Sequence, residues 1–242
     1  DEPYDYVERV HSAGALLMYT VGDAEAARRA VAAGVDIIVA QGWEAGGHVR
    51  GDVATMALLP VVVDAVAPVP VISAGSIADG RGMAAALMLG ADGVWIGTRF
   101  VTSDEADVDP SYKERIINAS ETGTLLSSKV FNGGWAAGGR ALRNSTIENW
   151  EAAGSPEVGE RPGEGEVIAK AADGGPVERY SSIASYSGVA GDLEGLSTWA
   201  GQGVGLIKRV QPAADIVRET TEEAIQVLRK ASTLWRVADA PD

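Results

Sequence analysis

The sequence predicts an α/β fold in which helices cover a parallel sheet. Four short apolar runs occur within the first 103 residues and alternate with segments of helical periodicity. Glycines and Asp–Gly pairs interrupt the pattern where strands and helices end. Strands that alternate with helices at this short spacing are typical of closed (β/α) barrels and of open doubly wound sheets. The spacing alone does not separate these two architectures.

The first strand–helix–strand unit covers residues 15–40. Residues 15–21 form an apolar run between glycines, which is typical of a buried strand. Asp23 can then cap a helix whose apolar positions recur until Gly34 ends it. A second apolar run, residues 35–40, follows directly and is predicted as the next strand.

Two further helix–strand pairs follow in the same part of the chain. Helices are predicted over residues 54–65 and 79–90, and strands over 69–74 and 93–96. Together these elements give four strands alternating with three helices. We expect them to form one α/β unit that covers residues 1–103.

Beyond residue 103 the periodicity changes, and a smaller, mostly helical domain is expected over residues 104–210. The elements predicted there are helices over 112–119, 146–153 and 192–200, a glycine-rich loop over 132–139 and a β-hairpin near 166–180. The segment 211–242 is predicted to carry a C-terminal helix, residues 213–231, that packs back on the α/β unit. Its apolar stripe consists of Ile216, Thr220, Ala224, Val227, Leu228 and Ala231.

Composition limits the classes of partner and site. A formal charge of −14 argues against nucleic acid or an anionic membrane as a partner. Without cysteine the chain has no disulfide and no thiolate, and two distant histidines make a metal site unexpected. His11 has no other chemical group near it in sequence and is predicted to be structural. The sequence has no long apolar span or leader pattern, so we expect a soluble cytoplasmic protein.

The segment 41–48, directly after the second predicted strand, is the main candidate for chemistry. Its three glycines, Gly42, Gly46 and Gly47, let the backbone approach a ligand closely. His48 is one of only two histidines available for proton transfer near neutral pH. A tight turn with a surface histidine explains the same eight residues equally well.

Glycine followed by a hydroxyl residue ends each of the last two predicted strands, as Gly75-Ser76 and Gly97-Thr98. In a parallel barrel a phosphate commonly lies between the loops that follow the last two strands. The helix that begins near Asp79 is expected to point its positive end at the same place. The dinucleotide fingerprint and the P-loop lysine are both absent, so a cofactor with a single phosphate fits best. Glycines needed only for tight turns are the alternative.

Three motifs occur in an order and spacing typical of a known enzyme family. They are Ala-Gln-Gly-Trp-Glu-Ala-Gly-Gly-His at 40–48, Pro-Val-Ile-Ser-Ala-Gly-Ser-Ile-Ala-Asp-Gly-Arg-Gly at 70–82 and Leu-Gly-Ala-Asp-Gly-Val-Trp-Ile-Gly-Thr-Arg-Phe at 89–100. Together they resemble the nitronate monooxygenases, formerly called 2-nitropropane dioxygenases, which are FMN enzymes on an eight-stranded TIM barrel. The similarity continues through Tyr112-Lys113, 140–144 and 200–207. It implies a TIM-barrel type fold of which this chain holds only the last four strands, plus the helical substrate domain.

The resemblance also implies a reaction and residue roles. Alkyl nitronates or nitroalkanes would be oxidised by O₂ to carbonyl compounds and nitrite. His48 would be the catalytic base or a hydrogen-bond donor to the substrate. The flavin would be contacted by Gln41 and Gly46, its phosphate held by Gly75, Ser76, Gly97 and Thr98, and the end of the last strand lined by Trp95 and Ile96. Ser76 departs from the glycine usual in the family.

Other functions share these motifs. FMN-dependent enoyl-acyl-carrier-protein reductases carry the same Glu-Ala-Gly-Gly-His loop, and NADH:quinone reductases are also similar. A non-catalytic flavin-binding module is a third interpretation. The first four barrel strands have no counterpart before residue 15, and four parallel strands alone leave an exposed edge. We therefore expect a missing N-terminal half-barrel, or a homo-oligomer in which copies pair.

Overall fold

The computed structural model describes residues 4–131 and 137–234. Residues 132–136 of the predicted glycine-rich loop and the last part of the predicted C-terminal segment lie outside these ranges. The helices are α1 (Tyr4–Ser12), α2 (Ala24–Ala32), α3 (Thr55–Val66), α4 (Gly80–Met88), α5 (Thr98–Val101), α6 (Pro110–Asn118), α7 (Ser145–Ala152), α8 (Ala213–Leu234) and a 3₁₀ helix (Gln202–Leu206). The strands are β1 (Met18–Val21), β2 (Ile37–Gln41), β3 (Gly47–Val49), β4 (Val71–Ala74), β5 (Gly93–Trp95), β6 (Thr124–Ser127), β7 (Gly138–Leu142), β8 (Val167–Lys170), β9 (Pro176–Glu178) and β10 (Ala190–Gly191).

The four predicted strands of the α/β unit form one parallel sheet in the order β1-β2-β4-β5. Its register places Gln41 beside Ala74, and Ala74 beside Trp95. Because neighbouring parallel strands run in the same direction, their carboxyl ends meet at one edge of the sheet. The predicted α/β class with a parallel sheet is confirmed.

Capping side chains fix where the helices of this unit begin. Asp23 accepts a hydrogen bond from the N–H of Ala26 at 2.7 Å and so caps α2. Asp79 caps α4 by accepting from the N–H groups of Arg81 and Gly82. Both caps are aspartates that directly precede the apolar repeat, which is why the sequence predicts these two starts closely.

The two faces of the parallel sheet have different surroundings. One face packs against α2 and α3 in a core whose nearly inaccessible members include Ala27, Ile38, Leu59, Val62 and Val71. Side chains alternate between the faces of a strand. The opposite face therefore presents a second set of side chains, and these line the cavity described below: Thr20, Val39, Gln41, Ala74 and Trp95.

The prediction of a mostly helical domain over residues 104–210 is wrong. Helices α6 and α7 lie close to their predicted positions, but the region also contributes to two antiparallel three-stranded sheets, ordered β3-β7-β6 and β10-β8-β9. An antiparallel pair, β8 with β9, is found where the hairpin was expected. These strands have only two to five residues, which is too short for alternation to be visible in the sequence.

The predicted helix over residues 192–200 is also wrong. The Asp192 carboxylate accepts from the N–H of Gly195 at 3.1 Å and closes a turn at the point where a helix would begin. The chain then runs extended, and Ser197 and Trp199 form bridges with Ala184 and Ala141. The local hydrogen bond and these long-range pairings replace the helix that the composition suggested.

Helices α1 and α8 both pack against the α/β unit. Helix α8 packs on α4 so closely that a Cβ on Gly80 would lie 2.4 Å from the Ala224 nitrogen. The predicted stripe of α8 faces inward, with Ile216 and Ala224 almost fully buried. Helix α1 was not predicted; its His11 Nε2 lies 2.8 Å from the Asp36 carboxylate.

Among the helices in the described ranges, none is both long enough and apolar enough to span a bilayer.

Candidate active site

A cavity of about 480 Å³ lies at the carboxyl edge of the parallel sheet. It has the size of a small-molecule or cofactor site. The structure brings most of the predicted site residues together on its wall: Gln41, Gly46, Gly47, His48, Gly75, Ser76, Trp95, Gly97 and Thr98.

Gly42 and Ile96 are the two predicted site residues that do not line this cavity. A Cβ on Gly42 would lie 1.9 Å from the Thr55 hydroxyl oxygen, so Gly42 is a glycine because of packing against α3. Ile96 packs against the core between the sheet and its helices. A contact of these two residues with a cofactor stays a prediction, and their packing gives each of them a structural role.

His48 lies on β3 rather than in an open loop. It is paired with Gly139 in the β3–β7 ladder, and its ring centroid is 5.6 Å from that of Trp199. The strand pairing fixes the backbone, and the indole limits where the imidazole can turn. His48 is half-buried and reaches the cavity from the side opposite the covering helices.

Two polar side chains hold the segment that carries His48. Gln41 Nε2 donates to the His48 carbonyl at 3.0 Å, and Gln41 Oε1 accepts from the N–H of Arg50 at 2.9 Å. The Glu44 carboxylate accepts from both the N–H and the hydroxyl of Thr55, at the start of α3. A negative charge at a helix N-terminus is stabilising. The segment is thus tied to β2 at one point and to α3 at another.

Arg140 anchors the same segment from β7. Its side chain is buried and donates to the carbonyls of Trp43 at 2.9 Å and Ala45 at 3.1 Å. Its guanidinium also lies 4.7 Å from the centroid of the Trp43 ring, within the range of a cation–π contact. Burial lowers the pKa of Arg140, but an arginine remains charged in proteins. Sequence analysis gave this residue no role.

The residues at the tips of β4 and β5 line the cavity. Gly75 has φ +108° and Ser76 has φ +53°, so the chain turns sharply directly after β4. In residues 4–131 and 137–234, no backbone carbonyl accepts a hydrogen bond from the N–H groups of Gly75, Ser76, Gly97 or Thr98. N–H groups that lack a partner in the protein are available to an anionic ligand.

The N-terminus of α4 is not available in this way. The N–H of Gly80 donates to the Glu223 carboxylate of α8 at 2.7 Å, and Asp79 accepts from the next two N–H groups. The expectation that the positive end of this helix holds a phosphate is therefore corrected. Two carboxylates already occupy its donors and would repel a further anion.

Residues 200–203, the bridging segment, join three parts of the site. Gln202 N–H donates to the Glu44 carbonyl at 3.0 Å, Gly203 N–H to the Ser76 hydroxyl at 3.0 Å, and Gly201 N–H to the Thr98 hydroxyl at 3.1 Å. The segment therefore sets the spacing between the His48 segment and both strand tips.

Further cavity residues come from the part of the chain that follows residue 103. Tyr112 is buried and donates its hydroxyl to the Trp199 carbonyl at 2.8 Å, and burial raises its pKa. Val108 and Tyr186 lie opposite each other in an isolated bridge at the cavity wall. Tyr112 and Gly203 belong to motifs noted in the sequence, whereas Tyr186 and Trp199 are isolated aromatics that no local pattern marks.

A family model for nitronate monooxygenase matches residues 1–223. The chain belongs to the nitronate monooxygenase family. It is 35% identical, over 93% of its length, to a nitronate monooxygenase of Neurospora crassa, of which it covers 58%. It is 40% identical, also over 93% of its length, to a Mycobacterium tuberculosis protein provisionally named as a monooxygenase, of which it covers 57%. The chain thus spans less than three fifths of these two relatives of the family.

Two solved structures are similar to this chain over most of its length. FabK from Thermotoga maritima matches with a TM-score of 0.73 and 31% identity, covering 97% of this chain and 68% of the other. Nitroalkane oxidase from Streptomyces ansochromogenes matches with a TM-score of 0.71 and 25% identity, covering 94% and 62%.

Proposed function

We propose that this chain is part of an FMN-dependent oxidoreductase that oxidises alkyl nitronates with O₂ to carbonyl compounds and nitrite. One observation carries the proposal. A single cavity is lined both by His48 and by the residues at two neighbouring strand tips, whose N–H groups donate to no backbone carbonyl in the described ranges. Membership of the nitronate monooxygenase family supports the reaction class.

The residues present fit a cofactor with one phosphate. The N–H groups of Gly75, Ser76, Gly97 and Thr98 would hold the phosphate by hydrogen bonds, without a lysine. A Cβ on Gly97 would meet no atom within 4 Å, so this tip leaves open space for a ligand. When bound, FMN supplies the electron-accepting chemistry. The protein supplies position, shielding from water and a proton acceptor.

His48 is the group placed to handle the substrate's proton. A neutral imidazole would take the α-proton of a nitroalkane, or hydrogen-bond the oxygens of a nitronate that is already ionised. Its strand pairing with Gly139 and its contact with the Trp199 ring hold it at the cavity wall. Val108, Tyr112, Tyr186 and Trp199 also line the cavity, and we assign this later part of the chain, residues 104–210, to substrate binding.

We further propose that β1, β2, β4 and β5 are the last four strands of an eight-stranded barrel. The chain covers only 57–58% of the two relatives described above, and β1 and β5 leave the edges of the sheet unpaired within the described ranges. A preceding half-barrel, or a second copy of the chain, would close these edges.

Nitrite release by the full-length protein tests the function. With a nitroalkane as substrate, His48→Ala is expected to lose at least about a hundredfold in kcat/KM, the typical contribution of a general base. His11→Ala is the matched control, because His11 contacts Asp36, which directly precedes β2 and so lies at the opposite end of that strand from the cavity. This variant should keep full activity. Unchanged activity of His48→Ala on the nitroalkane would remove the base from the mechanism.

A flavin reductase is the second candidate, favoured by the similarity to FabK and by the shared Glu-Ala-Gly-Gly-His loop. The two candidates differ in what reduces the flavin. Stopped-flow mixing with NADH under anaerobic conditions separates them. Rapid bleaching of the flavin absorbance by NADH would favour the reductase, and bleaching only by a nitronate would favour the oxidation proposed here.

A further inference from the structure

The Ser76 hydroxyl forms two hydrogen bonds within the protein, one as donor and one as acceptor. Ser76 Oγ donates to the Glu44 carbonyl at 2.8 Å and accepts from the Gly203 N–H at 3.0 Å. A serine hydroxyl has one proton to donate, and here that proton points at Glu44. It cannot also be donated to an anionic oxygen in the cavity.

The hydroxyl of Thr98 differs in this respect. Thr98 Oγ1 accepts from the Gly201 N–H at 3.1 Å, which uses one lone pair and leaves the proton. In the described parts of the chain no acceptor takes that proton, and Thr98 lines the cavity. The two strand tips look alike in sequence, but only one of them has a hydroxyl proton to offer a phosphate.

The backbone conformation of Ser76 also indicates that its side chain has a structural role. Its φ of +53° is a conformation that glycine adopts without strain and serine does not. The bridging segment presses against it, because a Cβ on Gly203 would lie 2.9 Å from the Ser76 carbonyl oxygen. Ser76 therefore sits between the His48 segment and the bridging segment and is hydrogen-bonded to both.

We propose that Ser76 is a positioning residue, which locks the His48 segment to the bridging segment through its hydroxyl and contributes only its N–H to the phosphate. The inference rests on the proposed function, because it assumes that the tips hold the phosphate of FMN. Of the two hydroxyl groups at the strand tips, only that of Thr98 would then donate a hydrogen bond to the phosphate.

Comparing FMN with riboflavin, which lacks the phosphate, isolates the phosphate contacts. Binding of each flavin to the full-length protein is measured by quenching of flavin fluorescence. Thr98→Val also loses the bond from the Gly201 N–H, so both affinities can fall. Its affinity for FMN should fall at least about tenfold more than its affinity for riboflavin, the value of a lost hydrogen bond to a charged group. Thr98→Ser keeps the hydroxyl and should restore FMN binding. Ser76→Gly and Ser76→Ala should change both affinities by the same factor.

Hydrogen exchange tests the positioning role without any flavin. In the flavin-free protein, Ser76→Gly should accelerate amide exchange in peptides covering 43–50 and 201–206 at least about fivefold, because a link between them is lost. The glycine suits φ +53°, so the variant should fold. With FMN saturating, its kcat on a nitroalkane should fall about tenfold or more through misplacement of His48.

Each outcome decides the inference. A selective loss of FMN over riboflavin in Ser76→Gly, matching that of Thr98→Val, would show that the Ser76 hydroxyl reaches the phosphate. Unchanged exchange over 43–50 would show that it does not hold the His48 segment. Either result overturns the proposal. If the wild-type protein binds neither flavin, the proposed function fails, and the exchange result still decides whether Ser76 locks the two segments together.

Discussion

Gly46 lies against the bridging segment with no space for a side chain. A Cβ at this position would be 2.4 Å from the Gly201 nitrogen and 2.5 Å from the Ala200 carbonyl carbon. Both neighbours are backbone atoms and cannot rotate away, so the bridging segment would have to shift as a unit. Overpacking of this kind costs roughly 1–3 kcal/mol. Gly46→Ala is therefore expected to lower the free energy of unfolding by about that amount.

Urea unfolding of the flavin-free protein, followed by far-UV circular dichroism, measures this loss. Gly97→Ala is the matched control, since Gly97 has φ −103° and a Cβ there would meet nothing within 4 Å. Its stability should stay within about 0.5 kcal/mol of wild type. In thermal unfolding, each kcal/mol lost should lower the Tm by about 2–4 °C for a chain of this size.

The two alanine variants should separate stability from flavin binding. Gly97→Ala places a methyl group in the open space at the β5 tip and should weaken FMN while leaving the fold intact. Gly46→Ala should destabilise the fold even when no flavin is present. Equal unfolding midpoints for Gly46→Ala and Gly97→Ala would refute the conclusion that the approach of the bridging segment requires a glycine at position 46.

Two further predictions concern residues outside the cavity wall. A hydrogen bond from Arg161 lowers the pKa of Glu164 to about 2, so its stabilising contribution is present above the ordinary carboxyl pKa of 4.5 and is lost as the pH falls toward 2. Urea titrations should show Glu164→Gln less stable than wild type at pH 7 and the gap closing near pH 2; a gap independent of pH would contradict this assignment. Arg140→Met removes the guanidinium from the Ala45 carbonyl and should cost about 1–3 kcal/mol in urea unfolding, whereas Arg28→Met on the exposed face of α2 should cost less than about 0.5 kcal/mol. Equal losses in these two arginine variants would contradict an anchoring role for Arg140.

Local signals were sufficient to predict the α/β unit and the strand tips. Aspartates at 23 and 79 mark helix starts by direct capping, and runs of four to seven mostly apolar residues mark the strands. The residue after β4, Gly75, has a positive φ that favours glycine. A glycine at the end of an apolar run is visible in the sequence and predicts such a turn. For these elements the cause and its signature lie within a few residues of each other.

The remainder of the site depends on contacts between distant residues. The bridging segment bonds to Glu44, Ser76 and Thr98, which lie about a hundred or more residues earlier, and nothing local in its sequence announces those partners. In the sequence Arg140 has no feature that distinguishes it from other charged residues. Its role follows only from the fold, in which β7 places its guanidinium within hydrogen-bond distance of the Ala45 carbonyl. The α4 terminus failed as a phosphate site because Glu223, a residue of the distant helix α8, takes its first donor. Contacts between residues distant in sequence therefore form the parts of the site that were not predicted. Such a contact also explains why the predicted phosphate site at α4 is wrong.

The position of the bridging segment late in the chain bears on the order of folding. The parallel strands and their helices are joined by short connections and can assemble as soon as they are synthesised. The bond from Gln202 to Glu44 closes a far longer loop, and such contacts form late because the entropic cost comes before the gain. A nascent chain that has emerged only to about residue 195 would therefore hold a folded sheet whose strand tips are not yet set at their working distance. The spacing of the tips is set only after residues 200–203 have left the ribosome and bonded to Glu44, Ser76 and Thr98.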